Sequence, residues 1–87
     1  MHYVYLLKSK KNNSLYIGRT INLAQRLKEH NHGLNLSTKR YLPWQCIYFE
    51  GYFAEEDAKK RESNLKYFGK SYSQLKRRIK NSLHGTS

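Results

Sequence analysis

Two tyrosines, an arginine, a histidine and a glutamate are spaced along this chain in a way that core packing alone does not require. Tyr5 and Tyr16 lie eleven residues apart, Arg26 and His30 lie about one helical turn apart, and Glu62 follows much later. Phenol and imidazole groups move protons, a guanidinium binds anions, and a carboxylate binds hard cations. These five residues are therefore candidates for a site that handles protons, anions and a metal ion.

The first four of these positions also have a structural explanation. Tyr5 and Tyr16 fall roughly opposite each other across a predicted hairpin, where paired aromatic rings stabilise a sheet. On the first predicted helix Leu23 marks the inward face, and at about 100° per residue Arg26 and His30 lie at the margin of the core. Ring packing, an arginine stem that covers apolar surface and a boundary histidine explain these positions without a site.

Glu62 is the hardest of the five to explain by folding alone. It projects within about 40° of Ala58, which marks the buried face of the second predicted helix. A carboxylate that turns inward is costly unless it is paired or holds a metal ion. An ion pair with Arg26 or Arg61 is the structural alternative to a metal site. The acids at residues 55–57 lie in the first helical turn, where they favour the helix dipole and need no further role.

The segments that must position these residues follow the order ββαβαα. Aromatic and β-branched runs bounded by polar turns predict the strands, and the cap pairs Asn22–Gln25 and Ser71–Gln74 predict where two helices begin. The third strand is apolar enough to be central in the sheet. The order predicts an α+β fold with helices packed on a small antiparallel sheet. The predicted strands cover residues 2–7, 15–18 and 44–52, and the predicted helices cover residues 22–31, 54–68 and 71–83.

Length and hydropathy limit the classes of protein that this chain fits. Its 87 residues suffice for one small domain, predicted over residues 1–83 with a short tail over residues 84–87. With 38 % hydrophobic residues it can build one thin core but no enclosed substrate chamber. Mean hydropathy is −0.92, and no apolar run approaches the roughly 20 residues of a membrane span. A single cysteine, Cys46, excludes an intramolecular disulfide, so a reducing cytoplasm is expected.

The charge of the chain points to a polyanionic partner. It has 17 Lys and Arg against 6 Asp and Glu, which gives a net charge of +11 with neutral histidines. Such a chain is attracted first to nucleic acid and second to an anionic membrane surface. Eight Tyr, three Phe and one Trp are more than a disordered basic tail carries, so the charge belongs to a folded domain. We expect contact with nucleic acid and none with a membrane.

These residues together resemble the GIY-YIG endonuclease superfamily. The second signature stands literally at residues 16–18 (YIG), while the first is degenerate at residues 3–5 (YVY) and keeps only its aromatic end. The resemblance covers about residues 2–68 and looks most like the small stand-alone bacterial members, which are related to the N-terminal domain of the excinuclease incision subunit. Three further residues match the family order, namely Arg26, His30 and Glu62.

The resemblance implies both a fold and a reaction. The fold is a sheet of three antiparallel strands surrounded by helices. The reaction is hydrolysis of a nucleic-acid phosphodiester with one divalent cation, Mg²⁺ or Mn²⁺, on Glu62. Arg26 then binds the non-bridging oxygens, and Tyr16 positions water or phosphate. Tyr5 acts as the general base or orients water, with its pKa lowered by positive charge from Arg26 and the cation, while His30 holds Tyr5 or shuttles its proton.

Basic residues outside this set are candidates for contacts with phosphate groups. Some lie before the third strand and others on the last predicted helix. A solvated basic helix face explains the four on the helix equally well. The candidates for nucleic-acid binding are Lys39, Arg40, Lys76, Arg77, Arg78 and Lys80.

The expected role is in DNA repair, recombination or processing, with DNA favoured over RNA as the substrate. Relatives gain target choice from appended recognition domains, which this sequence lacks. Weak sequence specificity, selection of a DNA structure, or a protein partner that supplies specificity is therefore expected. Some relatives use a late asparagine, and neither Asn64 nor Asn81 stands in a matching motif.

Two other functions compete with the nuclease. The first is a non-catalytic nucleic-acid-binding module with the same fold, and the second is a basic adaptor for an acidic protein or RNA. A binding module has no use for an inward Glu62, which repels phosphate. The complete set of five candidates therefore favours the enzyme.

Overall fold

Within residues 1–85, the part of the chain that the computed structural model describes, three strands and four α-helices follow the order ββαβααα. The predicted α+β fold is confirmed. The last two residues of the predicted tail over 84–87 lie outside the described residues. The elements are β1 (His2–Ser9), β2 (Leu15–Thr20), α1 (Leu23–Asn31), β3 (Trp44–Tyr52), α2 (Glu55–Tyr67), α3 (Gly69–Arg78) and α4 (Lys80–Leu83), with a short 3-10 helix over Lys39–Tyr41.

The three strands form one antiparallel sheet in the order β2-β1-β3. The prediction that the third strand is central is therefore wrong, because β1 lies between its two neighbours. The reason is visible in burial: the run from Val4 to Leu7 is buried at every residue, as expected of a strand covered on both faces. β3 has exposed residues along its length and occupies an edge.

The two faces of the sheet carry two separate apolar clusters. Alternation along β1 sends Val4 and Leu6 to one face, where they pack with Ala58 and Leu65 of α2. Tyr5 and Leu7 point to the other face, where partly buried leucines of α1 cover them. The sheet is thus the middle layer between α1 on one side and the later helices on the other.

Helix α1 begins and ends as its sequence predicts. The Asn22 side chain accepts a hydrogen bond from the Gln25 backbone amide at 3.1 Å, which satisfies a free N–H group in the first turn. The helix ends at Asn31, and Gly33 follows in the left-handed region with φ of 73°. This short helix therefore holds its residues at a defined height above the sheet.

The last predicted helix differs from the observed structure in two ways. It begins at Gly69, so Ser71 lies inside α3, and the predicted Ser71–Gln74 cap is wrong because Phe68 occupies the cap position. The helix is also divided at Ile79, whose φ of −107° and ψ of 31° leave the helical region. The buried Ile79 side chain packs into the core at this break.

The end of the described chain is held against the sheet. The Lys8 ammonium group of β1 donates a hydrogen bond to the Leu83 carbonyl at 2.5 Å, which satisfies a free acceptor at the end of α4. Among residues 1–85, none of the helices has both the length and the apolar character required to cross a bilayer.

Candidate active site

Tyr5 and Tyr16 lie close together on the α1 face of the sheet. Tyr5 pairs with Gly18 across the hairpin, and Tyr16 pairs with Leu7, so the two tyrosines are diagonal neighbours rather than direct partners. Their ring centroids are 6.5 Å apart. The Tyr5 ring lies over Gly18, where a Cβ atom would overlap the phenol oxygen and the carbon that bears it. The glycine of the YIG signature therefore makes room for the Tyr5 side chain.

His30 is fully buried and is the polar centre of this face. Its Nε2 atom lies 2.9 Å from the Tyr5 hydroxyl, and its Nδ1 atom lies 2.8 Å from the Thr38 hydroxyl. The Tyr16 ring packs against the imidazole edge to face, with centroids 5.1 Å apart. Both ring nitrogens thus have partners, as a buried histidine requires.

The electrostatic surroundings keep both Tyr5 and His30 neutral. Burial raises the pKa of the Tyr5 phenol, Tyr16 adds to that rise, and the positive charge of Arg26 opposes it without reversing it. The expectation that positive charge lowers the pKa of Tyr5 is therefore wrong for the protein alone, although Arg26 acts in the expected direction. Burial and Arg26 together lower the pKa of His30, so its imidazole is uncharged at neutral pH.

Arg26 lies one turn before His30 on α1, at the margin of the core as its spacing predicts. Its side chain is 40 % exposed and forms an ion pair with Glu29, with 3.3 Å between Nη1 and Oε1. Because this pair is largely in water, it costs little to break. The guanidinium is therefore available to an anion beside the Tyr5–His30 pair.

Glu62 approaches from the other layer. It lies on α2, on the same side of the sheet as Arg19, because Arg19 follows Gly18 on β2 and points to the opposite face. Arg19 Nε is 3.2 Å from Glu62 Oε1, and Lys66 Nζ is 3.1 Å from Oε2. The negative charge of Glu62 contributes to the raised pKa of Tyr5, so the two groups are electrostatically coupled.

The predicted ion-pair partners of Glu62 are both wrong. Arg26 pairs with Glu29 on its own helix, as described above. Arg61 instead donates from Nε to Glu50 Oε1 at 2.6 Å. The side chains at positions 61 and 62 point in different directions around the helix, so they meet different partners.

The structure thus brings Tyr5, Tyr16 and His30 into direct contact and places Arg26 next to them on α1. Glu62 lies on the other side of the sheet, where it contacts Arg19 of the edge strand β2.

Residues 1–85 contain no group of three His, Cys, Asp or Glu side chains arranged to hold a metal ion. Glu62 is one carboxylate with a side chain 20 % exposed, and its two oxygens contact Arg19 and Lys66. These residues fit a hard cation held by a single protein ligand, with water and phosphate oxygens at the other positions. A cation bound there competes with the positive charges of Arg19 and Lys66 for the carboxylate.

Three residues around the site were missed by sequence reasoning. Lys66 lies four residues after Glu62 on a predicted helix, and this spacing alone could have predicted their ion pair. The alternation of β2 would also have placed Arg19 on the α2 side. The contact of Thr38 with His30 was not predicted, because it depends on the path of an irregular loop.

A second polar cluster lies on the α2 face of β3 and was also missed. Glu50 accepts hydrogen bonds from Tyr48, from Tyr52 at 2.5 Å and from Arg61 at 2.6 Å. Burial raises the pKa of the Glu50 carboxyl, but these hydrogen bonds outweigh burial and the net shift is downward. Burial and the bond to Glu50 raise the pKa of Tyr52 to about 12. All four groups satisfy one another, which suits a structural role.

The predicted phosphate-contacting residues lie on two separate surfaces. One surface is the 3-10 helix next to Thr38, where the two basic residues are exposed. The other is on α3 and α4, where the half-buried Lys76 lies over the Tyr72 ring, 4.5 Å from its centroid, and where Arg78 faces a different side of α3 from Lys76. Their exposure is compatible with phosphate contact. The residues on the two surfaces are Lys39 and Arg40, then Lys76, Arg77, Arg78 and Lys80.

Comparison with known proteins agrees with this geometry. The family model described as the GIY-YIG catalytic domain matches residues 1–66. A UPF0213 protein of Clostridium perfringens is 42 % identical over 67 residues, which cover 76 % of this chain and 71 % of the relative. A UPF0213 protein of Staphylococcus haemolyticus is 39 % identical over 70 residues, which cover 79 % of this chain and 84 % of the relative.

The similarity extends to an archaeal protein, a UPF0213 protein of Haloquadratum walsbyi, which is 32 % identical over 74 residues, covering 84 % of this chain and 82 % of the relative. No solved structure matches the chain. The family match spans both tyrosines, the histidine and the glutamate of the site, and the predicted resemblance is confirmed. The chain belongs to the GIY-YIG catalytic domain family, a family of nuclease domains.

Proposed function

We propose that this protein is a metal-dependent endonuclease that hydrolyses phosphodiester bonds in DNA. The observation that carries the proposal is the buried hydrogen bond between Tyr5 and His30, with Arg26 beside it and Glu62 coupled to it. A fold needs no such arrangement, since apolar side chains would fill the same space without buried polar groups that must be paired. Membership in a nuclease family supports the same conclusion.

In the proposed mechanism Tyr5 orients the attacking water and takes its proton. A phenol with a raised pKa is a weak base by itself, so it needs a partner that removes its own proton at the same time. His30 is neutral and its Nε2 atom lies 2.9 Å from the phenol oxygen, so it is suited to remove the Tyr5 proton. Tyr16 packs on the imidazole and positions water or phosphate.

Arg26 and Glu62 serve the anionic substrate. Arg26 can exchange its exposed contact with Glu29 for two parallel hydrogen bonds to phosphate oxygens, which are shorter and stronger. Glu62 would hold Mg²⁺ or Mn²⁺ in competition with the positive charges of Arg19 and Lys66. When bound, such a cation relieves the charge on the phosphate and on the departing oxygen.

The proposed substrate is DNA, read weakly by sequence or selected by structure, in repair, recombination or processing. The two basic surfaces, around Lys39 and Arg40 and along α3, support phosphate contact without base recognition. Charge of this kind gives affinity that falls with salt but little sequence preference. A protein partner that supplies specificity belongs to the same proposal, as does a reducing cytoplasm, which the unpaired Cys46 suits.

The experiment that tests the proposal uses a branched DNA and a linear duplex of the same length. Each is incubated with the protein in Mg²⁺, Mn²⁺ or EDTA, and binding is measured in parallel by gel shift. We expect cleavage in either cation, none in EDTA, and none by Tyr5→Phe, which keeps the ring. Tyr67→Phe, an exposed tyrosine beyond the site, is the matched control and should cleave like the wild type.

A non-catalytic binding module with the same fold is the second candidate. The observation that favours it is the contact of both Glu62 oxygens with cationic side chains, which already balance its charge without a metal ion. Under that alternative, the protein binds both DNAs in every condition and cleaves neither. Binding by Tyr5→Phe would then equal binding by the wild type.

A further inference from the structure

We propose that Thr38 is a positioning residue that fixes the tautomer of His30, so that His30 Nε2 is free to accept the proton of Tyr5. The inference rests on the proposed function, because it explains how the site moves a proton. It concerns a residue that touches neither the phosphate nor the metal ion, and that acts only through His30.

Thr38 is as deeply buried as the histidine that it contacts. Both residues are fully buried, and 2.8 Å separates Thr38 Oγ1 from His30 Nδ1. At that distance between two buried atoms, one of them must donate and the other must accept. Which one donates decides where the single proton of the neutral imidazole lies.

The second contact of the Thr38 hydroxyl favours one direction. Oγ1 lies 3.4 Å from the Asn35 carbonyl oxygen, a long contact with donor geometry. A carbonyl oxygen only accepts, so this contact is made only when the hydroxyl proton of Thr38 points to Asn35. The Thr38 oxygen then accepts from His30, and the imidazole proton lies on Nδ1.

A proton on Nδ1 leaves the other ring nitrogen of His30, Nε2, able to accept a hydrogen bond. With the proton on Nδ1, Nε2 presents a lone pair to the Tyr5 hydroxyl at 2.9 Å, and Tyr5 donates. In the other tautomer Nε2–H would donate to the Tyr5 oxygen, and no site would remain for the Tyr5 proton. Thr38 therefore sets the donor-to-acceptor direction of the hydrogen bonds that run from Tyr5 through His30 to Asn35.

Two proton transfers accompany the attack of water on the phosphorus atom. The attacking water gives a proton to the Tyr5 oxygen while Tyr5 gives its own to His30 Nε2. The water oxygen forms a bond to phosphorus, the bond from phosphorus to the departing oxygen breaks, and that alkoxide takes a proton from solvent. His30, now an imidazolium with its Nδ1–H still donated to Thr38, returns the extra proton from Nε2 through Tyr5 to solvent.

Thr38 is itself held by the core. The Trp44 indole donates to the Thr38 carbonyl at 2.7 Å, and the Trp44 backbone exchanges hydrogen bonds with the Asn31 side chain at 2.7 and 2.9 Å. Asn31 directly follows His30 on α1. The loop, the start of β3 and the end of α1 are thus joined, which keeps the hydroxyl aligned with the imidazole.

The test compares Thr38→Val, which removes the hydroxyl but keeps the shape, with Thr38→Ser, which keeps the hydroxyl. Nitrogen NMR of the ¹⁵N-histidine-labelled protein identifies the tautomer of His30, assigned by its loss in His30→Gln. We expect the Nδ1–H form in the wild type and in Thr38→Ser, and a shift toward Nε2–H in Thr38→Val. Cleavage should fall by about 10- to 100-fold in Thr38→Val and recover in Thr38→Ser.

The control and the contrary outcomes are distinct from those of the proposed function. Ser37→Ala, exposed on the same loop, should leave both the tautomer and the cleavage rate unchanged. An Nε2–H imidazole in the wild type overturns the inference even if Thr38→Val fails to fold. An unchanged tautomer in a folded Thr38→Val also overturns it. Absence of cleavage by the wild type rejects the proposed function, while the NMR result on Thr38 stands separately.

Discussion

The Tyr5 phenol occupies the space that a side chain at Gly18 would fill, and it reaches over that space to His30. Tyr5 and Gly18 are direct partners in the β1–β2 ladder, and a Cβ atom on residue 18 would overlap the Tyr5 hydroxyl. The hydroxyl is also the atom that contacts His30 Nε2 at 2.9 Å. The glycine of the signature and the geometry of the Tyr5–His30 pair are therefore one structural feature.

Gly18→Ala should displace the Tyr5 ring and break its hydrogen bond to His30. Because a displacement of about 1 Å in a catalytic group lowers rates strongly, we expect a loss of about 100-fold in DNA cleavage. The measurement is the rate of cleavage by folded protein. Gly69→Ala, which meets no atom within 4 Å, is the matched control and should keep the wild-type rate. Equal rates for the two variants would reject the importance of this contact.

Arg19→Gln should make Glu62 easier to reach for a divalent cation. The change removes a positive charge 3.2 Å from Oε1, and pairs this exposed contribute up to about 1 kcal/mol. The Mg²⁺ concentration for half-maximal cleavage should therefore fall by about two- to fivefold. Lys59→Gln, whose exposed pairs with Glu55 and Glu56 are at 3.9 Å, should leave that concentration unchanged. A higher Mg²⁺ requirement in Arg19→Gln would contradict the competition.

Glu50→Gln should destabilise the fold without affecting the chemistry. The Glu50 carboxylate accepts from Tyr48, Tyr52 and Arg61, and an amide cannot accept from all three. We expect the free energy of unfolding to fall by about 1–3 kcal/mol in urea denaturation. Glu56→Gln, whose side chain is 85 % exposed, should change it little. A Glu50→Gln protein as stable as the wild type would show that the cluster contributes nothing.

The free energy of unfolding should be lower at pH 5.5 than at pH 8 because His30 takes up a proton on unfolding. Its folded pKa lies below its ordinary value near 6.5, so the unfolded chain binds the proton more tightly. The stabilisation is complete above about pH 6.5 and is lost as the pH falls below that value. The lowered pKa of Glu50 acts in the same direction, but only below about pH 4.5, outside this range.

Denaturant unfolding at the two pH values measures this loss. His30→Gln should lose less stability than the wild type on acidification, because its side chain does not titrate. His32→Gln, on the same helix end but exposed, should lose as much as the wild type. A wild type whose stability is the same at both pH values would contradict the burial of a neutral His30.

Most of the fold follows from the sequence because its signals are local. The Asn22 cap, the Gly33 stop and the buried face through Ala58 all depend on residues within a turn of one another. The position of β3 at the edge does not follow from such local signals, because strand order depends on which strand is covered on both faces. The division of the last helix at Ile79 likewise depends on packing against the sheet, which local propensity does not contain.

The candidate site was predictable in its members but not in its connections. The types and order of Tyr5, Tyr16 and His30 matched a known signature, and the structure puts them in contact. The ion-pair partners of Glu62 could not be predicted in this way, because Arg19 contacts it from a strand that is distant in sequence. The contact of Thr38 with His30 could not be predicted for the same reason, because long-range contacts made by an irregular loop leave no period or spacing in a single sequence.

The most direct test of the central claim is the nicking of supercoiled plasmid by the wild type and by Glu62→Gln, each in Mg²⁺ and in EDTA, with plasmid binding measured alongside. We expect nicked circles from the wild type in Mg²⁺ and none in EDTA, and none from Glu62→Gln even though it binds the plasmid. Nicking by Glu62→Gln at the wild-type rate, or nicking that persists in EDTA, would contradict a metal-dependent nuclease that acts through this carboxylate.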